Sequence, residues 1–382
     1  MTTVGILGGG QLARMLALAG VPLGLRFLVL DPSAESCAGQ CAPLQVGGFD
    51  DEAALEAFAS KVDVVTFDFE NVPASSAQWL VERVPVYPNP QALAVAQDRL
   101  SEKTLFRELG IPVPAFAAVD SREGLDAALA EIGTPCIIKT RRFGYDGKGQ
   151  FRIKSLADTD AAWEALGAQA GTVGLIVEGF VAFDREVSVV AVRGRDGEFK
   201  AFPLTENWHV DGVLSASLAP ATRVSEAMQV QAVDYARRVA EATGYVGVFA
   251  LELFCRGETL LANEMAPRVH NSGHWTIEGT EVSQFEAHLR AVLGLPLGEP
   301  AMRGVACMLN WLGEMPDANA VLALAGGHWH DYGKSARAGR KVGHATLRAD
   351  DAVALSQALS SVGDALSRQA QVQPVIARLA EG

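Results

Sequence analysis

The chain lacks most of what marks a secreted, membrane or nucleic-acid-binding protein. Five cysteines among 382 residues (Cys37, Cys41, Cys136, Cys255 and Cys307) are odd in number, scattered, and never paired as C-x-x-C. A disulfide framework and a thiolate zinc site are thereby excluded, and buried free thiols in a reducing cytoplasm are expected. No apolar run approaches the roughly 20 residues that span a bilayer, so no membrane partner is expected. The start, MTTVGILGGG, has no basic region followed by a long apolar stretch, so no secretory signal is expected either. Positive charge is scarce: 32 Lys and Arg stand against 45 Asp and Glu, a net charge of −13. A general nucleic-acid binder would need a basic face, so none is expected, and any anionic ligand must be met by a local cluster of cations. Internal repeats, low-complexity tracts and a G-x-x-x-x-G-K-[ST] phosphate loop are all absent.

What remains is an ordinary globular composition, 49% apolar and 20% charged, long enough for two or three domains. The first hundred residues alternate apolar strands (TVGILG, RFLVLD, VDVVTFDF) with amphipathic helices (QLARMLALAG, DEAALEAFASK, SAQWLVERV), the pattern of βαβ units around a parallel sheet. Gly8, Gly10 and Ala13 fit the G-x-G-x-x-G/A spacing, and Asp31 ends the second apolar run. Taken alone, this is a dinucleotide-binding fingerprint, and an NAD-dependent dehydrogenase is one reading of the chain. The prolines of IPVP mark a boundary. A second mixed module follows, then β-rich segments, a long helix from Met228, and the neighbouring strands VGVFALELF and TLLANEM. From about Ala301 a small terminal unit carries a basic loop near Lys334.

Three stretches carry chemistry. In IIKTRRFGYDGKGQ an apolar strand ends at Lys139, and Arg141, Arg142 and Lys148 follow among Gly144, Gly147 and Gly149. Glycines let backbone N–H groups approach phosphate oxygens while the cations supply charge. A solvated basic turn is the plain alternative; the apolar approach and the acidity of the whole chain favour phosphate. In VFALELF, alternation sets Phe249, Leu251 and Leu253 against Glu252 on the opposite face. A turn at CRGE would place Glu252 nearly opposite Glu264, and like charges across a sheet call for a cation between them. Two carboxylates, the Asn263 carbonyl and phosphate oxygens suit Mg²⁺, against the alternative of two solvated acids. In APRVHNSGHWT, His270 and His274 have helical zinc spacing but no H-E-x-x-H and no third ligand, so the dense polar run reads instead as a wall of a substrate site.

Together GGGQLARML, FDFENVP, RRFGYDGKGQ, NEMAPRVHNSGHWT and YGKSARAGRKVGH resemble the ATP-grasp superfamily and, within it, the N5-carboxyaminoimidazole ribonucleotide synthetases, from the first strand to about Gly343. The resemblance implies an α/β ATP-grasp fold: a Rossmann-like pre-ATP-grasp domain at 1–100, an ATP-grasp domain at 101–300 with a lid at about 113–182, and a small C-terminal domain at 301–382. It implies a cytoplasmic homodimer that uses ATP as co-substrate, Mg²⁺ and bicarbonate to carboxylate 5-aminoimidazole ribonucleotide through carboxyphosphate. Chemistry would fall to Glu70, Tyr145, Arg268, His270 and Asn271. ATP would meet Arg99, Lys139, the loop Gly144, Tyr145, Asp146, Gly147, Lys148, Gly149 and Gln150, then Glu178, Gly179, Phe180 and Val181, and Glu186, His209, Asn263 and Glu264. Glu252 and Glu264 would hold Mg²⁺. The ribonucleotide would meet Gly10, Gln11, Leu12, Glu70, Asn71, Asp146, Arg268, Asn271 and Ser272, with its phosphate at Lys334, Arg340 or Lys341. Related transformylases, carboxylases and a silent ATP-binding module stay open as alternatives. For Glu70 a helix-capping role also stays open.

Overall fold

The computed structural model describes residues 1–144 and 149–382. Three sheets organise it. The first holds β1 (Thr3–Leu7), β2 (Arg26–Asp31), β3 (Leu44–Val46) and β4 (Val64–Phe67), all parallel in the order β3-β2-β1-β4. Helices cover both faces, so the strands are mainly apolar: Val4, Ile6 and Leu7 have no exposed surface. The chain leaves β1 through Gly8 at φ +97°, where an added Cβ would lie 2.9 Å from the Cβ of Phe69. Only glycine fits there. Helix Gln11–Gly20 follows at once.

The second sheet, within 113–182, is antiparallel in the order β5-β8-β6-β7: β5 (Phe116–Val119), β6 (Cys136–Thr140), β7 (Gln150–Ile153) and β8 (Leu175–Gly179). It has a core of its own, with Leu125 and Leu129 of helix Arg122–Ile132 packed on Ile138 and Val177. β6 and β7 form the hairpin that carries the glycine loop, Lys139 lying opposite Gln150.

The third sheet has nine strands: β9 (Arg185–Arg193), β10 (Phe199–Ala201), β11 (Thr205–Val210), β12 (Val213–Ala219), β13 (Gly247–Arg256), β14 (Thr259–Ala266), β15 (Val305–Leu312), β16 (Gly327–Asp331) and β17 (Lys341–Ala349). Its path is β14-β13-β9-β11-β12-β15-β17-β16, with β10 on β9. The terminal unit therefore has no sheet of its own: β15 pairs with β12 and prolongs the central sheet. Helices Ala352–Leu366 and Gln369–Glu381 bury Leu355, Leu359, Val372 and Val375 against this extension.

One core joins the first sheet to the third. Val4 and Leu16 share it with Phe285 and Leu289 of helix Gln284–Leu293 and with Val190 and Val248 of the central strands. Inside that seam the buried His288 ring bridges the two sheets, with Nδ1 accepting from Val248 N at 3.0 Å and Nε2 2.7 Å from Thr66 Oγ1 on β4. No helix among the described residues is long and apolar enough to cross a membrane.

Candidate active site

The facing acids exist. β13 and β14 pair antiparallel with Glu252 opposite Glu264, and a bulge follows at Glu252/Leu253. Phe249, Leu251 and Leu253 are buried on the other face, as alternation requires. Arg99 Nη1 sits 2.7 Å from Glu264 Oε2, and His270 Nε2 lies 3.3 Å from Glu252 Oε1. Burial acts to raise both carboxyls. For Glu264 the Arg99 guanidinium overrides it and holds the group below the usual range. Glu252 is pushed up by burial and by the charge on Glu264. Two hard oxygen donors from facing strands, with Asn263 lining the same cavity, fit a small divalent cation such as Mg²⁺.

Lys139 does not stand alone at the end of β6. Its Nζ lies 3.0 Å from Glu178 Oε2, and Lys103 Nζ lies 3.4 Å from the same oxygen. Burial would raise Glu178, but Lys103, Lys139 and Arg99 bring it down to about 2. Lys103 has no exposed surface and also donates to the Asn263 carbonyl at 2.5 Å. Beside it, burial pushes Glu102 up to about 8 while its Oε1 accepts from Met265 N at 2.6 Å. Both were missed in the sequence, where SEKTLFREL reads only as a helix. The available signal is that Glu102 and Lys103 stand four and three residues before Phe106, on the stripe that helix Arg99–Glu108 buries. Asp98, also missed, caps that helix and binds Arg141 Nη2 at 2.7 Å and Arg142 Nε at 3.2 Å, so two cations of the basic loop are anchored from its far side.

A cavity of about 350 Å³ brings together Arg99, Lys139, Gly144, Gln150, Glu186, His209, Glu252, Asn263 and Glu264, while Lys103, Glu178, Gly179, Phe180 and Val181 are not among its lining residues. His209 Nδ1 is 3.3 Å from Glu186 Oε1, and that carboxylate raises the ring's affinity for a proton against the pull of burial. Glu178 is 4% exposed and committed to its two lysines. Gly149 enters β7, Gly179 ends β8, and Phe180 and Val181 follow, Phe180 lying under the Arg152 guanidinium at 4.1 Å. Tyr145, Asp146, Gly147 and Lys148 lie outside the described residues.

A second cavity of about 280 Å³ opens beside the first sheet, lined by Gln11, Leu12, Asp68, Phe69, Glu70, Asn71, Arg268, His270, Asn271 and Lys341. Arg268 grips Glu70 through two nitrogens, Nη2 at 2.9 Å from Oε1. Glu70 thus ends in an ion pair and caps no helix, and Arg268 holds it below its ordinary range against burial. An adjoining cavity carries Gly10, Lys334 and Arg340; Lys334 Nζ bonds Gln11 Oε1, and Arg340 Nη1 bonds Ser335 Oγ at 2.8 Å. Ser272 is reached by neither cavity: it is fully buried, its hydroxyl 2.8 Å from Ser188 Oγ. Glu70, Arg268, His270, Asn271 and Lys341 line both the 350 Å³ and the 280 Å³ cavities and form the wall between them.

The glycine turn differs from a dinucleotide site in what fills it. Asp68 accepts from Gly10 N at 2.8 Å and Ala13 N at 3.0 Å, so an internal carboxylate occupies the helix N-terminus where a pyrophosphate would sit. Asp31 accepts from Gly9 N at 2.7 Å and Ser33 N at 2.8 Å, which commits the acid that would read a ribose.

Comparison with known proteins identifies the family to which the chain is similar. A ribonucleotide synthetase preATP-grasp domain matches residues 1–97, an ATP-grasp domain 104–285, and a phosphoribosylaminoimidazole carboxylase C-terminal domain 306–358. The N5-carboxyaminoimidazole ribonucleotide synthase of Pseudomonas aeruginosa is 50% identical over 94% of this chain and 98% of its own. The crystal structure of the synthetase from Thermus thermophilus superposes with a TM-score of 0.91 at 56% identity, covering 96% of this chain and 99% of that one. A synthase from Aspergillus clavatus, in complex with ADP and 5-aminoimidazole ribonucleotide, superposes with a TM-score of 0.88 at 32% identity over 96% and 99% of the two chains.

Proposed function

This chain belongs to the family of N5-carboxyaminoimidazole ribonucleotide synthases, and from that premise we propose how its residues divide the reaction. The protein is an ATP-dependent ligase of purine biosynthesis that carboxylates 5-aminoimidazole ribonucleotide. ATP occupies the larger cavity, its phosphates met by Lys139, Arg99 and the backbone of the glycine loop and its ribose side by Glu186 and His209; the segment from Glu178 to Val181, which does not line that cavity, would take the base beyond it. Glu252 and Glu264 hold Mg²⁺, which when bound neutralises charge on the phosphates. The ribonucleotide occupies the smaller cavity against Gly10, Gln11, Leu12, Asn71 and Asn271, its phosphate met from Lys334, Arg340 or Lys341.

A bicarbonate oxygen attacks the γ-phosphorus and ADP leaves. The carboxyphosphate collapses to CO₂ and phosphate, and the exocyclic amine takes up CO₂ and loses a proton. Carboxyphosphate hydrolyses quickly in water and CO₂ diffuses away, so neither can be released between the two sites. The observation that carries this reading is the shared wall: five side chains face both cavities, so a group activated in one is within reach of the other. The reading also takes the enzyme as a cytoplasmic homodimer; all five cysteines are free, as a reducing compartment requires. ADP release should need the ribonucleotide and bicarbonate together, and bicarbonate labelled with ¹⁸O should pass label into phosphate. ADP release with formate in place of bicarbonate would move the assignment to a transformylase.

A further inference from the structure

A chain of buried polar groups runs from the wall between the cavities into the central sheet, and none of its inner members touches either cavity. His270 Nδ1 is 2.9 Å from Ser272 Oγ; Ser272 Oγ is 2.8 Å from Ser188 Oγ; Ser188 Oγ is 2.9 Å from Asn207 Nδ2; Asn207 Oδ1 is 2.7 Å from Ser217 Oγ. Ser188, Ser217 and Ser272 have no exposed surface, and Asn207 has 7%.

Donor and acceptor chemistry gives this chain one direction. Asn207 Nδ2 also lies 3.4 Å from the Thr205 carbonyl, which can only accept, so the amide nitrogen faces Ser188 and the amide oxygen faces Ser217. Ser217 must then donate to Asn207. Asn207 donates to Ser188, which leaves the single Ser188 hydrogen for Ser272. Ser272 in turn has its own hydrogen for His270 Nδ1. The far end agrees independently: the backbone N–H of Ser272 points at the same Nδ1 at 3.3 Å. Nδ1 thus faces two donors and carries no proton.

We infer that Asn207, Ser188 and Ser272 are positioning residues that lock His270 as the tautomer protonated on Nε2, so that the wall between the two cavities presents a fixed hydrogen-bond donor. That donor faces Glu252 Oε1 at 3.3 Å. At Nε2 the ring therefore steers a carboxylate or a phosphorylated oxyanion and takes no proton from the amine. The inner end of the chain, Ser217, is buried, so these groups orient the ring and do not exchange protons with solvent. This inference deepens the synthase reading and rests on it for what the donor acts on, though the tautomer itself does not.

The test uses the full chain labelled with ¹⁵N-histidine and long-range ¹H–¹⁵N correlation, His270 being identified by the signals lost in His270→Gln. Expected in the parent protein is a protonated Nε2 and a bare Nδ1; a proton on Nδ1, alone or together with Nε2, overturns the proposal. Ser188→Ala removes one link and no cavity wall. It should give mixed tautomers and lower kcat for ADP release about tenfold, with KM for ATP within about twofold. A change in tautomer without a fall in kcat, or the reverse, also overturns it. Should that variant not fold, Ser272→Ala supplies the same two readouts, and the parent spectrum needs no variant. A parent that shows the expected tautomer yet does not use the ribonucleotide would instead remove the synthase reading.

Discussion

At the scale of single residues, the site is a set of charges already spoken for. Arg99, Arg268 and Lys139 each hold a carboxylate, respectively Glu264, Glu70 and Glu178. Such pairing aims a long side chain before its anionic ligand arrives. Lys139→Ala should weaken ATP binding by roughly ten- to a hundredfold, the loss of one charged contact, while ribonucleotide affinity stays unchanged. Calorimetry with each ligand separately checks this, and the reverse pattern would exchange the two sites. The fold should survive, because Lys103 remains beside Glu178 at 3.4 Å. Glu264→Gln should leave the fold intact and nearly abolish turnover; near-parental activity at millimolar Mg²⁺ would remove Glu264 as a metal ligand.

At the scale of elements, helix Gln11–Gly20 owes its start to a residue from another strand. Its own first residues offer no capping side chain, and Asp68, just past β4, supplies two acceptors instead. Asp68→Ala should cost about 1–2 kcal/mol in urea denaturation and raise KM for the ribonucleotide, because Gln11 and Leu12 lie on that first turn. NADH should not stabilise the protein against heat, since Asp68 and Asp31 already occupy the places of pyrophosphate and ribose; a clear rise in Tm with NADH would contradict this. The strand–turn–helix and the facing acids were legible because both rest on local periodicity: Gly8-x-Gly10 for the turn, and alternation through VFALELF for Glu252. Asp68 was not, because its role depends on a contact between residues 58 apart in the chain. Lys103 was hidden for a different reason. A lysine on an amphipathic helix is ordinarily solvated, and only the meeting of Glu178 and Asn263 from two other strands makes its burial possible.

At the scale of the whole molecule, the seam between the first and third sheets and the wall between the two cavities each hold a ring that stays neutral. Burial brings His288 down to about 4, and burial with Arg268 and Lys341 brings His270 down to about 3. Both values lie below the ordinary 6.5, so the unfolded chain binds protons that the folded one refuses. Their stability is complete above about pH 6.5 and is lost as pH falls towards 4 and then 3. The buried carboxyls of Glu102 and Glu252 are raised and act in the opposite sense over the same interval, so the check is a comparison: between pH 7 and pH 5 the urea midpoint of the parent should fall relative to that of His288→Gln, and an equal pH dependence in the two would mean that the ring is not shielded. The overall plan was legible less evenly. The parallel first sheet and the hairpins followed from pattern, but the terminal unit reads as separate in the sequence. Nothing local announces that β15 will pair with a strand that ends 86 residues earlier, at Ala219.

That pairing has a consequence for how the protein is made. At synthesis speeds of about 5–20 residues per second, the edge of β12 waits roughly 4–17 seconds after its own translation before Val305–Leu312 of β15 even exist. Throughout that interval it is an open strand edge, able to pair with any neighbouring nascent chain. A ribosome that stalls in those codons holds up to six of the nine strands with this edge open, so yield from a polysome will depend on translation tempo and on chaperones that shelter it.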